Sequence, residues 1–150
     1  MDDKKSNSNK EKEEKLKEEG LVLINTGNGK GKTTAALGCA LRTAGHKQKV
    51  LILQFIKGTM NTGELKSLEC LKPFIEIEQL GGGFIKHKDG KPFITDEDRQ
   101  KARIAIDYSF GKIKNGDYNL IVLDEIINLL NFNLTTFTEI KELIDNKPEG

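Results

Sequence analysis

Glycines at 27, 29 and 31, followed at once by Lys32, Thr33 and Thr34, separate an apolar stretch from a helix-like one. Ahead of them stand four apolar residues, Leu21, Val22, Leu23 and Ile24, which read as a short buried strand. Behind them runs AALGCALRTA, residues 35–44, whose apolar spacing reads as a helix. Strand, glycine-rich turn and helix together make a phosphate cradle of the P-loop kind. The glycines let successive backbone N–H groups face inward without Cβ clashes, and the helix N-terminus adds its partial positive charge. Lys32 would then reach phosphate oxygens, and the Thr33 hydroxyl would ligate Mg²⁺. The plain alternative is a turn that binds nothing. Strand before, helix after and the run Gly31, Lys32, Thr33, Thr34 weigh against it.

The pattern G-x-x-x-x-G-K-[ST] asks for glycine five places before Gly31, where this chain has Thr26. The glycine comes one residue late, at Gly27. A dinucleotide-binding turn fits worse, since G-x-G-x-G is not G-x-G-x-x-G and no acidic residue closes a following strand.

A length of 150 residues suits one domain with a single core. The net charge of +1 gives no basic field for nucleic acid. No apolar run approaches a membrane span, and the N-terminus is charged where a signal peptide would be apolar. Cys39 and Cys70 have neither metal-site nor redox spacing, and Cys39 reads as a small core residue of the helix. A reducing, cytoplasmic setting is expected.

Residues 1–19 form a charged arm, with Lys and Glu interleaved at spacings that support an exposed helix. With Leu16 as its one apolar side chain beyond Met1, the arm reads as disordered, or as a helix that orders on contact with a ligand or partner. Residues 20–150 read as the folded domain. Residues 49–54, KVLILQ, predict a strand buried on both faces, as in a parallel sheet. A polar loop follows, then a short helix over about 65–71 stopped by Pro73, then a third strand over 74–80. Residues 81–94 read as a long irregular loop. Thr95 to Asp98 predict a capped helix start, and Ala102, Ala105, Ile106 and Ile113 give that helix its apolar face. Residues 115–116, Asn-Gly, end it. A fourth strand over 120–123 finishes in Asp124 and Glu125, and a last helix over about 136–144 opens at Thr135.

Strands alternating with helices predict an α/β fold, an open and mainly parallel sheet with flanking helices. The loops 27–34, 54–64, 81–94 and 124–131 would each follow a strand's C-terminal end, the edge at which such sheets bind ligands. Asp124, at the tip of an apolar strand, is the expected partner of the cradle, holding Mg²⁺ directly or through water against Thr33. Its plainer reading is an acidic helix N-terminus. Glu125 could orient a water, bind a ribose or a metal-bound water, or simply begin the helix, and the sequence does not choose. His46 and His87 have no ligand-spaced companion, and none of Arg42, Arg99 and Arg103 is marked for phosphoryl transfer.

In order, TGNGKGKTTAA from Thr26, AGH from Ala44, QFIKG from Gln54, NTGE from Asn61, Gly83 with Phe84, and Leu123 with Asp124 and Glu125 make the chain resemble the P-loop type ATP:corrinoid adenosyltransferases over about residues 12–148. The late glycine is a trait of that family. The resemblance implies a P-loop NTPase-like (RecA-like) fold. It implies transfer of the 5′-deoxyadenosyl group of ATP to the cobalt of a reduced corrinoid, cob(I)alamin or a precursor, with release of triphosphate. Cobalt(I) is itself a strong nucleophile, so no histidine or cysteine base is required. The protein's part is to hold the triphosphate, neutralise its charge and align C5′.

On this resemblance Asn28, Gly29, Lys30, Gly31, Lys32, Thr33 and Thr34 bind ATP, and Mg²⁺ (or Mn²⁺) sits at Thr33 and Asp124. Glu125 lies near the nucleotide, and Phe84 packs against the corrin. Where the family has Gly-Phe-Thr-Trp, this chain has Gly83, Phe84, Ile85 and Lys86. A homodimer is expected, in which the charged arm covers the partner's corrinoid site, and an electron-donor protein would supply cobalt(I). Relatives continue past the position of Pro148 into another strand and a tail, so a C-terminal truncation is expected, with an apolar sheet edge left open; the rival is a short natural form completed by dimerisation. Two further readings stay open: a P-loop NTPase or small-molecule kinase, and a non-catalytic nucleotide- or corrinoid-binding module.

Overall fold

The computed structural model describes residues 20–56, 63–81 and 85–148. The charged arm 1–19, residues 57–62 of the polar loop, and Gly83 and Phe84 lie outside the described residues.

Helix α1, Lys32–Gly45, leads into strand β1, Val50–Gln54. Helix α2, Gly63–Glu69, and strand β2, Ile75–Gln79, follow. A hairpin of β3, Lys86–Lys88, and β4, Lys91–Phe93, precedes the long helix α3, Asp96–Asn115. Strand β5, Leu120–Asp124, helix α4, Ile126–Asn131, and helix α5, Phe137–Asp145, complete the described chain. The main sheet has the order β2-β1-β5, and both pairings are parallel. From the central β1 the chain steps to one edge, then crosses back to the other.

Strand geometry sorts the side chains into two cores, because successive residues point to opposite faces. Val50 and Ile52 of β1 join Ile75 of β2 and Ala40 and Ala44 of α1 on one face. Leu51 and Leu53 join Ala102, Ala105, Ile106, Leu129, Ile140 and Leu143 of α3, α4 and α5 on the other. Every residue of β1 is buried, as its unbroken apolar run predicts for a central parallel strand. Each such leucine or isoleucine contributes about 1.5–3 kcal/mol by leaving water. The result is the expected open parallel sheet with helices on both faces.

The apolar face predicted for α3 is buried as expected, and Gly116 ends the helix in a left-handed conformation. Thr95 and Asp98 cap its start reciprocally. Thr136 and Glu139 do the same for α5, one residue later than the expected Thr135. At the outer edge of the sheet, Lys112 of α3 lies 5.2 Å from the Tyr108 ring and 5.8 Å from the Tyr118 ring. It also faces Glu78 of β2 at 3.7 Å, so charge guards that edge against stray pairing.

Four expectations are corrected. Residues 21–24 are not a buried strand: they have no strand assignment, and Leu21, Leu23 and Ile24 are more than 70 % exposed. The segment is tied at both ends, by Gly20 beside Lys147 and Pro148 and by Thr33 against Asp124. Among the described residues no strand covers its outer side, so the apolar run has nothing to bury against. Cys39 is exposed, because Ala40 and Ala44 carry the buried stripe of α1 and Cys39 is one residue out of phase. Within 81–94 the chain forms the antiparallel pair β3–β4, turned by Asp89 and Gly90 at φ of 53° and 75°. Residues 126–131, expected to be loop, form α4 because Ile126 and Leu129 bury one helical face.

Candidate nucleotide site

The glycine loop bends where the sequence permits it. Gly27 and Gly31 hold φ of 117° and 109°, a region that side chains rarely adopt. A Cβ at either position would meet nothing within 4 Å, so backbone conformation alone demands glycine. Lys32 folds back across the loop and donates from Nζ to the carbonyl oxygens of Gly27 at 2.6 Å and Gly29 at 2.8 Å. The ammonium thus braces the loop from inside. Gly31 caps α1, and no side chain among the described residues caps that end, so its first N–H groups face the loop.

At the second position of α1, Thr33 Oγ1 donates to Asp124 Oδ1 at 3.1 Å, with Oδ2 at 3.4 Å. Asp124 ends β5 and is buried, while Thr33 is half-buried. The structure therefore joins Thr33 and Asp124, which are 91 residues apart in sequence, as expected. Asn28, Gly29, Lys30, Gly31, Lys32 and Thr34 are exposed around them. Glu125 follows Asp124 in a left-handed conformation, φ 65°, and begins α4 without a side-chain cap bond. A non-glycine residue held there costs about 1–3 kcal/mol, a strain that gathers at functional sites. Phe84, the expected corrin contact, lies outside the described residues, and Lys86 is an exposed residue of β3.

The donors at Thr33 and Asp124 are one hydroxyl and one carboxylate, all oxygen. Magnesium, which keeps waters and takes few protein ligands beside substrate phosphates, suits such a pair. No group of three or more His, Cys, Asp or Glu residues that could hold a metal occurs among the described residues. No described helix is long and apolar enough to cross a membrane.

Sequence reading missed Gln54 and Gln79. Gln54 is 1 % exposed, donates from Nε2 to Asp124 Oδ2 at 3.2 Å, and accepts from Gln79 Nε2 at 3.3 Å. The available signal was an amide closing an otherwise apolar strand.

Fold and site together define a P-loop type α/β domain. Comparison with known proteins narrows the class. The family described as ATP:corrinoid adenosyltransferase BtuR/CobO/CobP matches residues 18–150. A corrinoid adenosyltransferase of Escherichia coli (strain K12) is 30 % identical over 131 residues, 87 % of this chain and 64 % of that protein. Corrinoid adenosyltransferase CobA of Salmonella typhimurium is 33 % identical over 133 residues, again 87 % and 64 %. A corrinoid adenosyltransferase of Pseudomonas aeruginosa is 34 % identical over 109 residues, 73 % of this chain and 52 % of that protein. The chain belongs to the ATP:corrinoid adenosyltransferase family. It spans 64 % of the length of the Escherichia coli and Salmonella relatives.

Proposed function

We propose that this chain transfers the 5′-deoxyadenosyl group of ATP to the cobalt of a reduced corrinoid, with triphosphate as the leaving group. One observation carries the reading: a braced glycine loop and the Thr33–Asp124 pair meet at the C-terminal edge of the sheet. Gly29, Gly31 and the start of α1 offer backbone N–H groups to the triphosphate, and Asn28 and Lys30 flank it. Lys32, whose ammonium braces the loop through the Gly27 and Gly29 carbonyls, would turn it to the same oxygens when the triphosphate binds. Thr33 and Asp124 would hold Mg²⁺, which when bound offsets the charge of the leaving triphosphate. Glu125, next after Asp124, would orient groups near the nucleotide.

No acid or base is asked of the protein, because the nucleophile belongs to the substrate. On the other face of the same sheet edge, Phe55, Leu80, Ile85 and Leu134, with Asp98 and Lys101, line a small hollow. We further read it as a soluble, cytoplasmic homodimer served by a separate electron donor that supplies cobalt(I), as the resemblance implies.

The test is an anaerobic assay with ATP, Mg²⁺ and chemically reduced cobalamin. The corrinoid spectrum should change to that of the adenosylated product as triphosphate accumulates. Formation of ADP and phosphate alone would reject the transferase reading in favour of an NTPase or kinase.

A further inference from the structure

The face of the sheet toward α1 is built in rows across β2, β1 and β5. Ile75, Val50 and Leu120 form the first row, and Ile77, Ile52 and Val122 the second. The third row, in the same register, is Gln79, Gln54 and Asp124. The sheet thus changes from apolar to polar in its last row, although Gln54 is as buried as the leucines beside it. Burying an amide in place of an aliphatic side chain is unfavourable unless both of its ends are bonded. Here both are.

The bonds also fix the direction of the amide. Gln79 donates to Gln54 Oε1, so Gln54 Nε2 must face Asp124. The reverse orientation would set a carbonyl oxygen against a carboxylate. Asp124 Oδ2 accepts from Gln54 at 3.2 Å, and Oδ1 is the oxygen nearer Thr33, at 3.1 Å against 3.4 Å. A lysine at position 54 would neutralise the carboxylate and a glutamate would repel it. Glutamine holds it by hydrogen bonding without neutralising its charge.

We propose that Gln54 is a positioning residue, which orients the Asp124 carboxylate so that Oδ1 is presented, with the Thr33 hydroxyl, to the divalent metal of a bound metal–triphosphate. Gln79 backs it by holding the amide in one orientation. This rests on the reading of the site as one for a magnesium nucleotide, but not on adenosyl transfer.

The experiment titrates Mn²⁺ into the full chain with saturating ATP, following loss of the free-ion signal by electron paramagnetic resonance. Wild type, Gln54→Met, Asp124→Asn and the double variant are compared. Gln54→Met should weaken Mn²⁺ binding about tenfold, the lower end of what losing a supporting partner costs a metal site. In the Asp124→Asn background it should cost nothing further, because it acts only through that carboxylate. A general loosening of the fold would instead add its full effect in both backgrounds, and that outcome overturns the proposal. So does a Gln54→Met chain that binds Mn²⁺ as wild type does. Gln79→Met, which leaves Gln54 in place, supplies a milder variant and should weaken binding two- to threefold; no change there removes its backing role. If the Mn²⁺ results hold while the corrinoid assay fails, the transferase reading falls and this inference stands. A wild-type chain that binds ATP yet holds no Mn²⁺ overturns this inference and the metal assignment together.

Discussion

Two apolar runs in this chain have the same composition, LVLI at 21–24 and VLIL at 50–53, and they meet opposite fates. The second is the centre of the sheet, 0–2 % exposed along its length. The first is 46–86 % exposed and carries no ladder. Composition permits a buried strand but does not create one. Val50 to Leu53 have paired strands on both sides and helices on both faces, whereas residues 21–24 have no strand outside them among the described residues. The two runs also feed different parts of the molecule. One ends at buried Gln54, and the other ends in the glycine loop. Stability is therefore expected to rest on residues 50–53 and ligand response on the glycine loop that follows residues 21–24.

The largest test of that contrast is a pair of truncations. Leu53→Ala should cost about 2–5 kcal/mol in urea unfolding, because it empties a fully packed site. Leu23→Ala should stay within about 0.5 kcal/mol of wild type, as exposed positions do. Equal losses would mean that residues 21–24 are packed in solution and would end the comparison. Ligand binding should reach both places, by different routes. Magnesium ATP at about a hundred times its dissociation constant should add roughly 2.7 kcal/mol of protection, read by amide hydrogen exchange. That gain should appear at 27–34, whose opening releases the ligand, and equally in β1, whose buried amides are expected to exchange through global unfolding, and be absent where a local opening leaves the ligand bound.

Gly31→Ala is the next test. Forcing a side chain into its backbone conformation should cost about 1–2 kcal/mol, read as roughly tenfold weaker ATP binding with an intact core. Smallest is the cap of α5, the helix whose end lies against Gly20 and so fixes where the exposed run begins. Backbone and hydroxyl donation from Thr136 and Thr135 holds the Glu139 carboxyl below its ordinary value of 4.5. The folded state thus binds fewer protons than the unfolded chain. Its stabilisation is complete above that value and is lost as pH falls through the lowered folded one. Glu139→Gln should cost about 1 kcal/mol at neutral pH, and thermal melts should show less acid sensitivity than wild type.

Much of this architecture is legible in the sequence, and each failure has a physical cause. The strands at 50–54, 75–79 and 120–124 and the capped helix at 96–115 follow from periodicity and end signals that tertiary packing does not oppose. The Thr33–Asp124 pair was legible because a motif and a strand tip share one sheet edge. Asp89 and Gly90 carried a hairpin signal inside what read as loop, and the turn they form is the one such a pair favours. Helix α4 opens at Glu125 without a side-chain cap, so only the burial of Ile126 and Leu129 marks it. Gln54 escaped notice because its value lies in register, which the linear sequence does not display.

Gly81 has a consequence of another kind. A Cβ there would lie 2.3 Å from the Phe55 carbonyl oxygen and 2.8 Å from its carbon. The chain leaving β2 therefore presses main chain against main chain on the chain leaving β1. Even a single methyl would work as a doorstop between the two exits, prising apart the floor beneath the hollow while leaving the sheet below intact. Among the described residues, spacing at that mouth is set by one that brings no side chain to it.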